Sequence, residues 1–247
     1  MYDIYQHIII CMKVFLIIMN GYSDCQTCKS FSKSIFCSEN SSVIANILSG
    51  NLISINYKKG QDIFLENTPG KGVFCIQKGK VKVYKVCEGR NIVTNLAGDG
   101  DLIGFSNIVN EGKCINSAKC IEDCLVCYIP KKTFLILLET EPGVLFDLLK
   151  MITNENKRLS DFITALKCKN TEERIACALS VLEEKFGLDK NGCLDVTLTR
   201  KDISEISGTT TESAIRILNS FKNDESISFV KNRIKILDKR KLKLYKS

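Results

Sequence analysis

The sequence has no tryptophan, three prolines and one histidine among 247 residues. That histidine, His7, lies close to the start, so neither a Ser-His-Asp triad nor a histidine-based metal centre is expected. No phosphate-cradling glycine loop and no nucleophile paired with a base can be read either, and an enzyme is not expected. Long apolar runs are missing too. The longest, residues 8–19, spans 12 positions with Lys13 inside it, short of the roughly 20 that cross a bilayer. It resembles the apolar part of a secretion signal, yet no small-x-small cleavage site follows. The expectation is an additional N-terminal stretch without function, with Met19 as an alternative start, residues 1–18 in question as native sequence, and no membrane partner.

Cysteine, by contrast, is abundant. The 13 cysteines are scattered along the chain rather than framed as in a small disulfide scaffold. This points to free thiols serving mostly as small apolar side chains in a reducing, cytoplasmic setting. The length suits one large or two ordinary domains with real cores. The formal charge of +7 is uneven: residues 200–247 hold 12 Lys/Arg against 6 Asp/Glu. Most of the surplus therefore lies in the last fifth of the chain, as a phosphate-binding module would have it.

That basic end carries a readable pattern. Thr199 and Asp202 form a capping box, and Ile203 and Ile206 give the helix behind them an apolar face. Gly208 suits a tight turn. Thr209 or Thr210 can cap a second helix running to about Asn223, in which Ala214, Ile215, Leu218 and Phe221 are predicted to point inward. Glu212, Ser213, Arg216 and Asn219 then fall on the wet face. An arginine fork fits guanine O6/N7 and a carboxylate accepts from cytosine N4, so the pair suits a helix reading base edges. Taken alone, Glu212 and Arg216 fit equally well an i,i+4 surface ion pair of roughly 0.2–0.5 kcal/mol. Residues 227–230 and 233–237 alternate as strands around Lys231 and Asn232, a two-residue turn in which the asparagine can take positive φ. Two helices, a tight turn, a hairpin and a basic charge together read as a winged helix-turn-helix. Lys231 and Arg233 are its expected phosphate contacts.

Ahead of it, short strands at 53–57, 62–64, 73–76 and 80–84, with turns at Gly60, Gly70 and Gly79, suggest an antiparallel sandwich or barrel. Pro142 opens a helical segment in which Leu145, Ile152, Leu159 and Leu166 fall seven apart. Leu148 and Phe162 fill d-like positions and Glu155 breaks the row. Such a seam pairs a helix with another helix, its own copy being the expected partner. Packing on the strands is the alternative. Residues 168–171 mark a hinge, and 172–186 a linking helix.

Residues 208–218 resemble the recognition segment of the CRP/FNR transcriptional regulators. Residues 58–64, 79–84 and 100–104 resemble that family's cyclic-nucleotide-binding-like β-roll, so the likeness covers about residues 50–247. It implies an α+β fold: an N-terminal extension (1–24), a β-roll sensor domain (25–140), a long dimerisation helix with its hinge (141–170) and a C-terminal winged helix-turn-helix domain (171–247). It further implies a homodimer that reads a palindromic site in double-stranded DNA and works with RNA polymerase. The β-roll would sense a signal and the dimer helix would pass it on. On the matching positions Glu212 and Arg216 read a guanine-containing half-site and Thr211 tunes the preference. Ile215 departs from the serine usual in the oxygen-sensing branch, and residues 223–226 lack the family's corner glycine.

A cyclic nucleotide is not expected. Nucleotide-binding members follow the glycine matching Gly104 with a glutamate and use an arginine further on. Here Phe105 and Ser106 follow, and only Lys119 could meet a buried phosphate. Similarity to the oxygen-sensing branch implies instead a [4Fe–4S] cluster on Cys25, Cys28, Cys37 and Cys127, although the eight residues between Cys28 and Cys37 exceed the enteric spacing. Free thiols are the alternative. A reading from another class is a thiol- or metal-storage protein whose tail binds nucleic acid nonspecifically; it would lack a specificity ratio that survives salt.

Overall fold

The computed structural model describes residues 28–36, 41–109 and 112–244. A single 3₁₀ turn (Phe31–Lys33) precedes helix α1 (Ser41–Leu48). The strands that follow are β1 (Ile53–Tyr57), β2 (Asp62–Phe64), β3 (Gly72–Lys78), β4 (Val81–Cys87), β5 (Arg90–Ala97), β6 (Leu102–Ile103), β7 (Ser117–Cys120) and β8 (Cys124–Pro130). Helix α2 (Ser106–Val109) lies between β6 and β7. These strands form two four-stranded antiparallel sheets, ordered β1-β8-β3-β6 and β2-β7-β4-β5. Ile63, Ile76, Val81, Val83, Ala118 and Val126 fill the space between them, as period-2 alternation requires of two facing sheets.

Helix α3 (Lys131–Thr140) leads into α4 (Pro142–Cys168), which Pro142 opens from the first turn, where its missing N–H costs nothing. The long helix has two apolar stripes. Val144 and Leu148 are buried with Phe134, Leu137, Ile44 and Leu48 against the β1-β8-β3 sheet. Leu145, Leu149, Ile152, Ile163 and Leu166 stay between 41 and 55% exposed. The expected seam is therefore corrected at its d-like positions. Leu148 belongs to the protomer's own core, Phe162 is half-buried, and Leu149 and Ile163 take the outer places. A helix gripped on one side and bare on the next carries two stripes one residue apart, and a row seven apart cannot tell which neighbour joins it.

Past the hinge, Asn170 caps α5 (Thr171–Phe186): its side chain accepts from Glu173 N at 3.0 Å, and its own N–H donates to Glu173 Oε2 at 2.5 Å. Helices α6 (Arg200–Ser207) and α7 (Thr211–Asn223), strands β9 (Ile227–Val230) and β10 (Arg233–Ile236), and α8 (Lys239–Leu244) complete the chain. Their core of Leu179, Leu182, Ile203, Ile217, Phe221 and Ile227 is continuous with Tyr84, Val93, Leu96 and Ile121 on the outside of the β-roll. β4 is thus covered on both faces. Val81 and Val83 point between the sheets, while Lys82 points out at α6. There Lys82 Nζ meets Asp202 Oδ1 at 2.5 Å and Glu205 Oε2 at 2.6 Å, with Lys82 and Glu205 buried and Asp202 partly so. Asn91 Nδ2 donates to Glu205 Oε1 at 3.1 Å. Among the described residues no helix is long and apolar enough to cross a membrane.

Candidate nucleic-acid interface

The turn between α6 and α7 is built as local chemistry demands. The Thr199 hydroxyl accepts from Asp202 N at 3.1 Å, and Thr199 N donates back to Asp202 Oδ2 at 2.9 Å. Gly208 ends α6 at φ +64°, ψ 42°, a left-handed conformation that disfavours side chains. A Cβ there would stand 2.8 Å from Leu166 Cδ2, so α4 touches the turn directly. Arg174 ties the hinge to the same turn, donating from Nε to Ser207 O at 3.2 Å and from Nη1 to Lys169 O at 3.0 Å.

Thr210 caps α7, accepting from Ser213 N at 3.2 Å. Ala214, Ile217, Leu218 and Phe221 are buried. Ile215 is 42% exposed, contrary to expectation. The i, i+3, i+4, i+7 stripe from Ala214 selects Ile217, and Ile215 sits 100° around the helix from Ala214 on its flank. Glu212, Arg216 and Asn219 are exposed on the far face, with Thr211 and Ser213 partly so. Thr211 Oγ1 lies 3.3 Å from Ser204 Oγ, which turns it toward α6. Among the described residues no ion pair joins Glu212 to Arg216.

In the wing, Val230 pairs with Arg233 across the turn, and positive φ falls on Lys231 (+55°) rather than on Asn232. Lys231 is exposed at the tip. Arg233 is used otherwise than expected: Nη1 lies 3.0 Å from both Asp189 Oδ2 and Asp195 Oδ1, pinning the wing to the preceding loop. The hydrogen bond to Asp189 heads the causes that raise its guanidinium above the ordinary arginine value. Arg200, at the start of α6, stacks its guanidinium 4.1 Å from the Phe229 ring centroid. The only sequence signal for that contact was a basic residue beside an aromatic strand.

This arrangement has relatives. The cyclic nucleotide-binding domain family matches residues 54–141, and the Crp-like helix-turn-helix domain family matches residues 173–245. Electron transport regulator A of Shewanella oneidensis is 32% identical over 190 residues, covering 76% of each chain. The fumarate and nitrate reduction regulatory protein of Vibrio cholerae is 30% identical over 184 residues, 73% of each chain. The chain belongs to the CRP/FNR family of transcriptional regulators. Among solved structures, FixK2 from Bradyrhizobium japonicum superimposes with a TM-score of 0.72 at 22% identity, covering 79% of this chain and 98% of that one. A CooA mutant from Carboxydothermus hydrogenoformans gives 0.69 at 22% identity, covering 86 and 94%. The winged helix-turn-helix of this CRP/FNR regulator is accordingly a DNA-binding domain, and the storage alternative finds no support.

The thiols of this CRP/FNR protein fall partly outside the described residues: Cys25 and Cys37 do so. Cys28 and Cys127 line one small cavity under the 3₁₀ turn, together with Phe31, Leu48, Cys75 and Ile129. Cys127 Sγ stands 3.8 Å from Ser54 Oγ and 3.9 Å from Gln77 Oε1. Cys75 faces Cys127 across the β3–β8 pairing, a neighbour that only the strand register reveals. Among the described residues no three His, Cys, Asp or Glu side chains converge closely enough to hold a metal ion. Lys119, the remaining cation for a nucleotide phosphate, lies 3.3 Å from Asp62 Oδ2.

Proposed function

We propose that the protein acts as a cytoplasmic homodimer that reads a palindromic site in double-stranded DNA and conveys a signal from the β-roll to RNA polymerase. The observation that carries this is the exposed face of α7, where Glu212, Arg216 and Asn219 project without pairing to one another near the helix N-terminus. In this reading Arg216 takes guanine O6/N7, Glu212 accepts from cytosine N4, and Thr211, Ser213 and Asn219 flank them. Lys231 meets phosphate, and Arg233 holds the wing in position to do so. Two copies would present the face twice, about one DNA turn apart. No residue is assigned a catalytic role. The test is a salt titration on matched and scrambled duplexes. Arg216→Ala should cost about 1–3 kcal/mol on the matched site and relax discrimination at one guanine. Lys231→Ala should weaken all sequences alike. An Arg216→Ala protein with unchanged base preference would overturn the assignment.

The β-roll is read as sensing something other than a cyclic nucleotide, because Lys119, the cation expected to meet a cyclic phosphate, is already paired with Asp62. Cys28 and Cys127 opening on one cavity support a [4Fe–4S] group held by Cys25, Cys28, Cys37 and Cys127, since thiolates are soft ligands suited to it. Such a group supplies oxygen-labile redox chemistry. Cys127, fixed in β8, would anchor the N-terminal segment to the sheet that α4 packs on. Protein purified without air should carry iron and sulfide near stoichiometry and lose DNA binding in air. A colourless, iron-free protein that binds DNA equally in air and under nitrogen would exclude the cluster.

A further inference from the structure

The outer stripe of α4 has a finer pattern than a row seven apart. Leu145, Leu149, Ile152, Asn156, Leu159, Ile163 and Leu166 follow one another at alternating steps of four and three along the 27-residue helix. That is a heptad seam with Leu145, Ile152, Leu159 and Leu166 at d and Leu149, Asn156 and Ile163 at a. Asn156 is exposed, as are Leu149, Ile152 and Ile163, while Leu159 is half-buried. The flanking positions carry no ionic code. Leu148 is buried in the protomer, Glu155 accepts from Asn95 Nδ2 at 3.0 Å on the protomer's own β-roll, and Phe162 is half-buried. Opposite them would stand Thr153, Ser160 and Lys167, with no carboxylate facing that lysine. The charge pairs that commonly set orientation in such seams are therefore missing.

We infer that Asn156 sets the register and strand number of this seam, pairing with the same residue of a second copy in a parallel, two-stranded arrangement. The inference rests on the homodimer proposed above and specifies how its copies meet. A primary amide carries both donors and an acceptor, so it is complementary to itself. In an antiparallel seam a positions meet d positions, which would bury Asn156 against Leu159 or Ile152 of the other copy and leave its amide unsatisfied. A one-heptad slip would set it against Leu149 or Ile163 with the same result. Only the parallel, in-register pairing satisfies it. That pairing places both Leu166 side chains, and the two Gly208 turns they touch, at one end of the seam. Both recognition helices then leave from the same end, as reading two half-sites requires.

The full chain, Asn156→Leu, Ile163→Cys and the Asn156→Leu/Ile163→Cys double variant test this by sedimentation equilibrium and by oxidative cross-linking on non-reducing gels. Position 163 meets its own copy only in the parallel register, so Ile163→Cys should give a covalent dimer that the parent, with the same native cysteines, does not. Asn156→Leu should associate more tightly, by about tenfold or more, and yield species beyond a single dimer or a lowered cross-link in the double variant. Both positions are exposed in the protomer, and far-UV circular dichroism should show its fold unchanged. A parent that is monomeric at all concentrations would sink the homodimer and this inference together. A dimeric parent whose Ile163→Cys form fails to cross-link would leave the homodimer and refute the parallel seam. A cross-linking dimer in which Asn156→Leu changes neither affinity, species nor cross-link yield would refute the role of Asn156.

Discussion

Replacing Lys82 with methionine should loosen the docking of the DNA-binding domain on the β-roll. The ammonium is buried between Asp202 at 2.5 Å and Glu205 at 2.6 Å. Burial works against its charge, but the hydrogen bonds and charges of the two acids outweigh it and hold its pKa above the ordinary lysine value. Methionine keeps the stem and removes the charge, leaving two carboxylates facing each other in the interface. Breaking a buried pair by removing one partner costs about 3–5 kcal/mol. Asp202 keeps its bonds from Thr199 and Glu205 keeps Asn91, so the lower end, about 3 kcal/mol, is expected. For a chain of this size that corresponds to a fall in Tm of roughly 6–12 °C. The effect should depend on pH. Burial would raise the Asp202 pKa, yet Lys82 and Thr199 hold it below the ordinary carboxylate value. Asp202 therefore stabilises the parent above its unfolded pKa of about 3.9, and the contribution fades as pH falls through the folded value. In the variant only the Thr199 bonds still oppose burial, so the folded pKa of Asp202 rises relative to the parent and protonation relieves part of the cost. The gap between parent and variant should be full at neutral pH and narrow toward pH 4 or so. Urea unfolding followed by far-UV circular dichroism at several pH values measures it. A variant within about 1 kcal/mol of the parent at neutral pH would mean that α6 does not dock on β4 as described.

Other substitutions check separate parts of the fold. Ser226 is fully buried and its hydroxyl has no partner among the described residues, so Ser226→Ala should be neutral or stabilising by up to about 1 kcal/mol in thermal unfolding; a clear loss would reveal a partner. Leu148→Ala should cost about 2–5 kcal/mol of stability by opening a cavity in the core beneath α4. Leu149→Glu, one residue on, should leave the protomer folded but abolish self-association in sedimentation; a stable dimer would move the interface off this stripe.

How much of this was legible depended on whether a residue's role was fixed by its own segment. The caps, the Gly208 turn, the strands from β1 to β4 and the hairpin wing rest on local hydrogen bonding and period-2 alternation, and the structure places them within a few residues of the expected bounds. The outward positions of Glu212, Ser213, Arg216 and Asn219 followed from helical period in the same way. Ile215 was misassigned because two apolar neighbours compete for one stripe, and the choice of Ile217 needed the whole i, i+3, i+4, i+7 set to be counted from Ala214. Arg233 was misread as free because the carboxylates that hold it, Asp189 and Asp195, come from a loop some forty residues earlier.

The hardest residue to read was Lys82, and the reason bears on how the molecule works. Alternation along β4 correctly turns Lys82 away from the space between the sheets, and a lysine so turned is ordinarily solvated. Nothing local says that a second domain covers that face. Only Asp202 and Glu205, spaced three apart on a helix 120 residues later, complete the site. Asp202 has a second task there, since it is also the acid of the capping box that starts α6. The helix that begins the DNA-reading turn is therefore started by the same carboxylate that fastens it to the β-roll. At its other end the Gly208 turn rests on Leu166 of α4 and is held by Arg174 from the first turn of α5. A displacement of β4 or of α4 must act on one end of α6 or the other, because both ends are anchored outside the DNA-binding domain. The helix that leads to Glu212 and Arg216 is thus held at one end by the β-roll and at the other by α4.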